Sequence, residues 1–326
     1  MPAERLTLAR ALNEALRTAL EEDSSVLVMG EDVGTLGGVF RVTDGLQKDF
    51  GQDRVMDSPL AESGIVGTAI GLALVGYRPV VEIQFDGFVF PAYDQIVTQL
   101  AKLHARSHGT IRMPMVIRIP YGGGIGAVEH HSESPEALFA HVAGLKVVSP
   151  SNPTDAYWML WQAIRSDDPV IFFEPKRRYW DTAEVDLSAR PDPLHQARVV
   201  RPGTDLTLAG YGPTVQLCLE AAEAAVAEGK SLEVLDLRSV SPVDFDTVQR
   251  SVERTHRLVV VHEAPVFFGA GAEIAARVTT RCFYTLEAPV LRVGGYHAPY
   301  PAARLEKEFL PDLDRVLDAV DHSLAY

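Results

Sequence analysis

The chain is poor in cysteine, short of positive charge and free of any long apolar run. Its two cysteines among 326 residues, Cys218 and Cys282, lie far apart in apolar helical contexts with no CxxC partner. That pattern argues against a disulfide framework or a thiolate metal site and predicts two buried free thiols. Lysines and arginines number 30 against 44 aspartates and glutamates, a net charge of -14. A phosphate-backbone binder wants the opposite sign. No stretch approaches the ~20 apolar residues of a membrane span. The N-terminal MPAERLTLARALNEAL carries both charge signs and reads as an amphipathic helix. It has neither the apolar core of a signal peptide nor the acid-poor character of a transit peptide. These absences predict a cytoplasmic protein with no nucleic-acid and no membrane partner. The G-x-S-x-G elbow and the HExxH helix are missing too, so a serine hydrolase or zincin has no positive support.

What is present is alternation. Short β-branched runs at 26–30, 80–85, 114–120, 145–150 and 169–175 are separated by helical patterns at 62–76, 93–107, 134–142 and 153–166. Near-continuous apolar strands interleaved with helices predict a mostly parallel sheet covered on both faces. Residues 177–205 are charged and carry Pro191, Pro193 and Pro202, after which a second, smaller α/β alternation runs to the C-terminus. The expected division is a first domain over 1–190, a linker over 191–203 and a second domain over 204–326.

Three motifs invite a functional reading. GAGAEI (269–274) has G-x-G at a helix start but lacks the third glycine and does not directly follow its strand, so close helix packing explains it better than a dinucleotide site. YGGGIGAVEHH (121–131) follows an apolar strand and has no Lys-Ser/Thr, so it is not a P-loop. Its glycines predict a backbone that approaches something closely at the sheet's carboxyl edge. His130 and His131 end that loop; as neighbours they diverge, which disfavours a shared zinc ion and leaves one of them as a functional candidate. EIQFDGFVFPAYDQI (82–96) runs from a strand into an aromatic loop, where Phe85, Phe88, Phe90 and Tyr93 are core residues or a platform for a flat ring. Gln84, inside that apolar run, needs a partner for its amide.

DSPLAESGIVG (57–67) sets one acid, Glu62, at the start of an apolar helical pattern. An acid in a first turn is stabilised by the helix dipole by about 0.3–1 kcal/mol. Gly64, Gly67 and Gly71 share one face, and each interior glycine costs roughly 1 kcal/mol against alanine. Three of them predict close approach of another helix or chain, and two readings of Glu62 stand open: an ordinary helix-start acid, which the residues alone favour, or a carboxyl screened from water at a packed interface.

Taken jointly, GEDVGTLGGVFRVTDGL, DSPLAESGIVGTAIGLALVGYRPVVEIQF, FPAYDQIVTQLAKL, HHSESPEALFAHVAGLKVVSPSNPTDA, VIFFEPKRRYW, EVLDLRSVSPVDFDTV and VVHEAPVFFGAGAEIA span nearly the whole chain. They resemble the beta subunit of the thiamine-diphosphate-dependent E1 component of 2-oxo acid dehydrogenase complexes. GGVFRVT, EIQF, FFEPK and LEAPVLRVGGY look more like the branched-chain enzyme than the animal-type pyruvate enzyme, with a pyruvate dehydrogenase E1 beta subunit as the alternative.

The resemblance implies a parallel-sheet pyrimidine-binding domain followed by a transketolase C-terminal-like α/β domain. It implies that Glu62 contacts N1′ of the cofactor's aminopyrimidine, with Leu60, Gln84 and Phe88 around that ring, and that His131 acts in decarboxylation or acyl transfer. Relatives of the branched-chain type carry tyrosine where Phe88 stands. Some relatives bind potassium through carbonyls near residues 163–169, and Ser166 stands where they have aspartate. The G-D-G motif that holds Mg²⁺ and diphosphate in thiamine-diphosphate enzymes is absent from the chain. The resemblance assigns that half to an alpha subunit in an α₂β₂ heterotetramer, with a lipoyl-bearing E2 core as partner and small 2-oxo acids as substrates. It leaves this chain without a metal ligand of its own. Two competing readings are a self-sufficient transketolase-like transferase and a non-catalytic scaffold or nucleotide-binding module built around GAGAEI.

Overall fold

The computed structural model describes residues 3–326. The chain begins with β1 (Glu4–Thr7) and α1 (Leu8–Glu22). The helix expected from residue 1 therefore starts later. Thr7 is extended, and its hydroxyl accepts the Arg10 amide at 3.1 Å, which caps α1. Then follow β2 (Val26–Gly30), α2 (Leu46–Phe50), β3 (Val55–Asp57), α3 (Glu62–Leu74), β4 (Arg78–Glu82), α4 (Ala101–Arg106), β5 (Val116–Tyr121), α5 (Glu136–Ala140), β6 (Lys146–Val148), α6 (Pro153–Arg165), β7 (Val170–Pro175) and β8 (Thr182–Val185). The second half holds β9 (Arg198–Arg201), β10 (Leu206–Gly210), α7 (Thr214–Val226), β11 (Leu232–Asp236), β12 (Ser239–Ser241), α8 (Phe245–Thr255), β13 (Leu258–Pro265), α9 (Ala270–Arg281), β14 (Leu291–Gly295), α10 (Glu306–Phe309) and α11 (Leu313–Leu324).

These strands form the expected mostly parallel α/β architecture. One sheet has the order β12-β6-β7-β5-β4-β2-β3 and is parallel except for β12; the other has the order β14-β13-β10-β11-β9 and is parallel except for β9. Every residue of β2, β5, β7, β10 and β11 is buried. That is why these strands read as unbroken apolar runs rather than alternating ones. On one face of the first sheet α1 packs along α6, burying Leu12, Leu16 and Leu160. Asn152 caps α6 by accepting the Asp155 amide at 3.0 Å, and Pro153 takes its first position.

The helix expected over 93–107 is continuously helical to Arg106 but π-helical in its middle, and a 3₁₀ turn leads into it. A 3₁₀ turn covers Asp86–Ala92, a π-helical stretch covers Gln95–Leu100, and α4 follows. Pro91 lies inside the first of these and cannot donate the amide an α-helix would use. The stretch expected as a linker, 191–203, contains β9, which pairs antiparallel with β11. Upstream, β8 pairs antiparallel with β1. The apolar run after α7 also divides: β11 stays in the second sheet, while β12 crosses to pair antiparallel with β6 of the first. Cys218 and Cys282 are buried free thiols.

Candidate active site

The chemistry-bearing residues cluster where parallel strands of the first sheet end. β2 leads into Glu31 and Asp32, β3 into Leu60 and Glu62, and β4 into Gln84 and the aromatic turn. A Cβ at Gly30 would lie 2.7 Å from the Glu82 carbonyl, so glycine lets β2 and β4 meet there. Glu62 is the first residue of α3 and is buried. Burial, then the charges of Glu62 and Asp32, push the Glu31 carboxyl above its ordinary range. Three acids thus share this corner. Gln84 finds its partner here, its Nε2 donating to Asp32 Oδ2 at 3.3 Å. Leu60 stands clear of the fold at 80 % exposure.

The aromatic turn 86–92 packs against α3 on one side and against the short 3₁₀ turn Glu129–His131 on the other. The His131 ring lies 4.0 Å from Phe85 and 5.0 Å from Phe88, centroid to centroid, and Phe88 meets Phe85 edge-on at 5.7 Å. Close approach is enforced at Gly87, where a Cβ would fall 2.5 Å from the His130 carbonyl oxygen. His131 Nδ1 is buried without a partner. Burial, then the charges of His130 and Lys176, hold the His131 imidazole below its ordinary pKa, which favours the neutral ring.

Beneath these rings lie two buried charge clusters. Asp86 pairs with Lys176, both fully buried, and its Oδ2 accepts the Glu133 amide at 2.8 Å. Burial pushes Asp86 up and Lys176 down, each opposed by the other's charge. Arg118 bridges Glu174 and Glu82 at 2.7 Å each, and the Tyr179 hydroxyl donates to Glu174 at 2.6 Å. Asp86 and Lys176 escaped the sequence reading. Each is a charge set directly after an apolar strand run, in QFDGF and FFEPK, and that was the available signal.

The glycine loop does approach something closely, and it is the second half of the same chain. The Gly123 amide donates to Glu263, while the Gly124 and Gly126 amides donate to Glu306 at 2.9 and 3.1 Å. A Cβ at Gly123 would collide with the Tyr300 hydroxyl, which itself donates to Glu306 at 2.7 Å. The GAGAEI glycines pack on buried His262, with a Cβ at Gly271 only 2.7 Å from its Nε2. Burial pushes the His262 imidazole down to about 4. The α3 glycines behave otherwise. Among the described residues, a Cβ added at Gly67 or Gly71 would meet nothing within 4 Å, so that face is open. The carbonyls of Ile164 and Ser166 accept Arg78 Nη1 at 3.2 and 3.1 Å.

The structure therefore brings Phe88 and His131 into contact, seats the Glu62 helix against the same turn, ties Gln84 to the neighbouring acids, and leaves Leu60 exposed at the rim. Among the described residues no three His, Cys, Asp or Glu side chains converge to hold a metal ion. Among them, too, no helix is long and apolar enough to cross a membrane. The corner offers a screened carboxyl, a neutral imidazole and an apolar aromatic wall, a set suited to moving protons beside a flat ring.

Comparison with known proteins gives the corner its context. Residues 4–180 match the family described as transketolase, pyrimidine binding domain, and residues 195–316 match transketolase, C-terminal domain. A chain from Leifsonia xyli named pyruvate dehydrogenase E1 component subunit beta is 61% identical over 99% of this chain and 96% of its own length. One from Mycobacterium tuberculosis named 3-methyl-2-oxobutanoate dehydrogenase subunit beta is 54% identical over 98% of this chain and 92% of its own. A solved chain described as a split gene transketolase, inactive beta4 tetramer, superposes with a TM-score of 0.80 at 23% identity, covering 98% of both chains. That last likeness bears on the fold alone.

Proposed function

Because the chain belongs to the transketolase-like family of E1 beta subunits of 2-oxo acid dehydrogenases, we propose that its open corner is the pyrimidine side of a thiamine-diphosphate site. We propose further that the preferred substrates are branched-chain 2-oxo acids. The observation that carries the reading is the buried carboxyl of Glu62 on a helix seated against the Phe88–His131 turn.

The residues fit that half of the cofactor. Glu62 offers a carboxyl screened from water, Phe85 and Phe88 an apolar wall, and His131 an unpartnered buried Nδ1. Thiamine diphosphate, when bound, supplies the electron sink for decarboxylation. The Glu62 carboxyl oxygen would be the proton partner of ring nitrogen N1′. Leu60 and Gln84 flank the ring. Neutral His131 would take or return a proton beside the reacting group. Phe88 keeps the stacking face without a hydroxyl and excludes water. The Mg²⁺ and diphosphate half falls to an alpha subunit. The bare Gly64-Gly67-Gly71 face is a surface such an α₂β₂ assembly would cover. The domain division 1–190, 191–203 and 204–326 is part of the same proposal, as is the absence of nucleic-acid and membrane partners. A structural potassium ion near residues 163–169 belongs to the same proposal, in a region where Arg78 Nη1 already donates to the Ile164 and Ser166 carbonyls.

A second reading, pyruvate as substrate, is favoured by the printed name of the L. xyli relative. Comparing kcat/KM for branched 2-oxo acids and pyruvate, using the chain assembled with its alpha partner, decides between them. In that assembly Glu62→Gln is expected to lower kcat by roughly 100-fold or more. Full activity in the variant would sink the proton role.

A further inference from the structure

We propose that the buried Asp86–Lys176 pair is a positioning device for His131. It clamps the histidine turn and sets the charge that the imidazole feels. The inference rests on the proposed function of the corner and adds to it two residues that touch no reacting atom.

The geometry makes one carboxylate serve two elements. Asp86 starts the aromatic turn after β4, and Lys176 follows β7. One oxygen of Asp86 pairs with Lys176 Nζ, and the other accepts the Glu133 amide at 2.8 Å. Glu133 lies two residues beyond His131, and its carbonyl accepts the Gly122 amide at 2.9 Å. The histidine turn is therefore fixed between the aromatic turn and the end of β5. Lys176 Nζ also lies 5.5 Å from the centroid of the Phe85 ring, on which His131 packs. The charged groups facing His131 are His130 and Glu129 of its own turn and Lys176 from below. A fully buried pair is a costly way to hold a loop, since removing either partner strands the other's charge. Its placement under the imidazole gives that arrangement a role packing alone does not need.

The test uses the cofactor-free and the cofactor-loaded α/β assembly, with Lys176→Met, Asp86→Asn, the double variant and Lys176→Arg. Each charge-removing single variant is expected to lower kcat about 10-fold or more with KM little changed, because the turn is displaced rather than the binding surface removed. Asp86→Asn with Lys176→Met leaves no stranded charge and keeps an acceptor for the Glu133 amide, so stability recovers in the double variant. The decisive readout is modification of His131 by diethylpyrocarbonate against pH, followed by peptide mass spectrometry in the cofactor-free assembly. Neutral imidazole reacts, so loss of the Lys176 cation is expected to move the half-point up by about half a pH unit in Lys176→Met, and by less in the double variant, which removes the Asp86 anion as well. Lys176→Arg keeps the cation and is expected to leave it in place. An unchanged half-point in all variants, with activity falling only as melting temperature falls, would overturn the proposal. If the wild-type assembly decarboxylates no 2-oxo acid, the functional reading fails, and the labelling experiment still decides the clamp.

Discussion

Both large sheets of this molecule are mostly parallel, and both present the carboxyl ends of their parallel strands, the edge where open α/β sheets usually take a ligand. They spend that edge differently. The second sheet turns its edge onto the first: Tyr211, after β10, donates to Glu136 at 2.6 Å, Asp236 accepts Ser151 Oγ at 2.5 Å, and Glu263 takes the Gly123 amide. The loop starts after β5 and β6 are taken up by these contacts, and Arg177, after β7, pairs with Glu263 at 3.2 Å. The β2, β3 and β4 ends remain open, and they carry Glu31, Asp32, Leu60, Glu62, Gln84 and the aromatic turn. Motif and position alone do not distinguish an open edge from a spent one. The partners of the backbone amides do.

A pair of glycine substitutions breaks the comparison most sharply. Gly87→Ala forces the aromatic turn off the His130 backbone, and kcat in the α/β assembly is expected to fall by roughly 100-fold with a small change in melting temperature. Gly123→Ala on the spent edge meets Tyr300 instead. It is expected to cost about 1–3 kcal/mol in denaturant unfolding and to spare kcat of the folded enzyme. The reverse pattern would mean the edges have been assigned the wrong way round.

A smaller effect comes from Glu136. Burial pushes its carboxyl up to about 7 against an ordinary 4.5, with the Tyr211 hydroxyl bond opposing the rise. The folded state thus holds this proton more tightly than the unfolded one. The contribution is full below pH 4.5 and is lost as pH rises through 7. Glu136→Gln is expected to remove on the order of 2 kcal/mol of the stability lost across that window. Melting curves from pH 4.5 to 8 check this, and a slope identical to wild type would count against a spent edge held by a protonated acid.

The smallest effect is expected at Arg78. Arg78→Ala frees the Ile164 and Ser166 carbonyls. It is expected to lower stability by about 1 kcal/mol and to make melting temperature rise with added KCl more than with added NaCl. Equal responses to the two salts would show that no cation site is being uncovered.

Much of the fold was legible, because buried parallel strands write themselves as apolar runs and Asn152-Pro153 announces a helix start. Phe88, Gln84, Glu62 and His131 were legible as residue types in telling places, and family pattern then ranked them. What stayed hidden depends on distance along the chain. Nothing local to YGGGIG says that its amides serve Glu263 and Glu306, more than a hundred residues away. Nor does QFDGF reveal Lys176, 90 residues on. The N-terminal helix was set too early because Glu4–Thr7 owes its strand state to β8, which no local propensity reports.

The crossing of β12 carries a consequence for anyone dividing this chain. Residues 239–241 cap the flank of a sheet formed wholly by the first half. A fragment ending at the nominal linker would expose the bare backbone donors and acceptors of β6, a template for sticking to other chains. The gene can be cut there on paper. The solubility of the front piece is written in the back one.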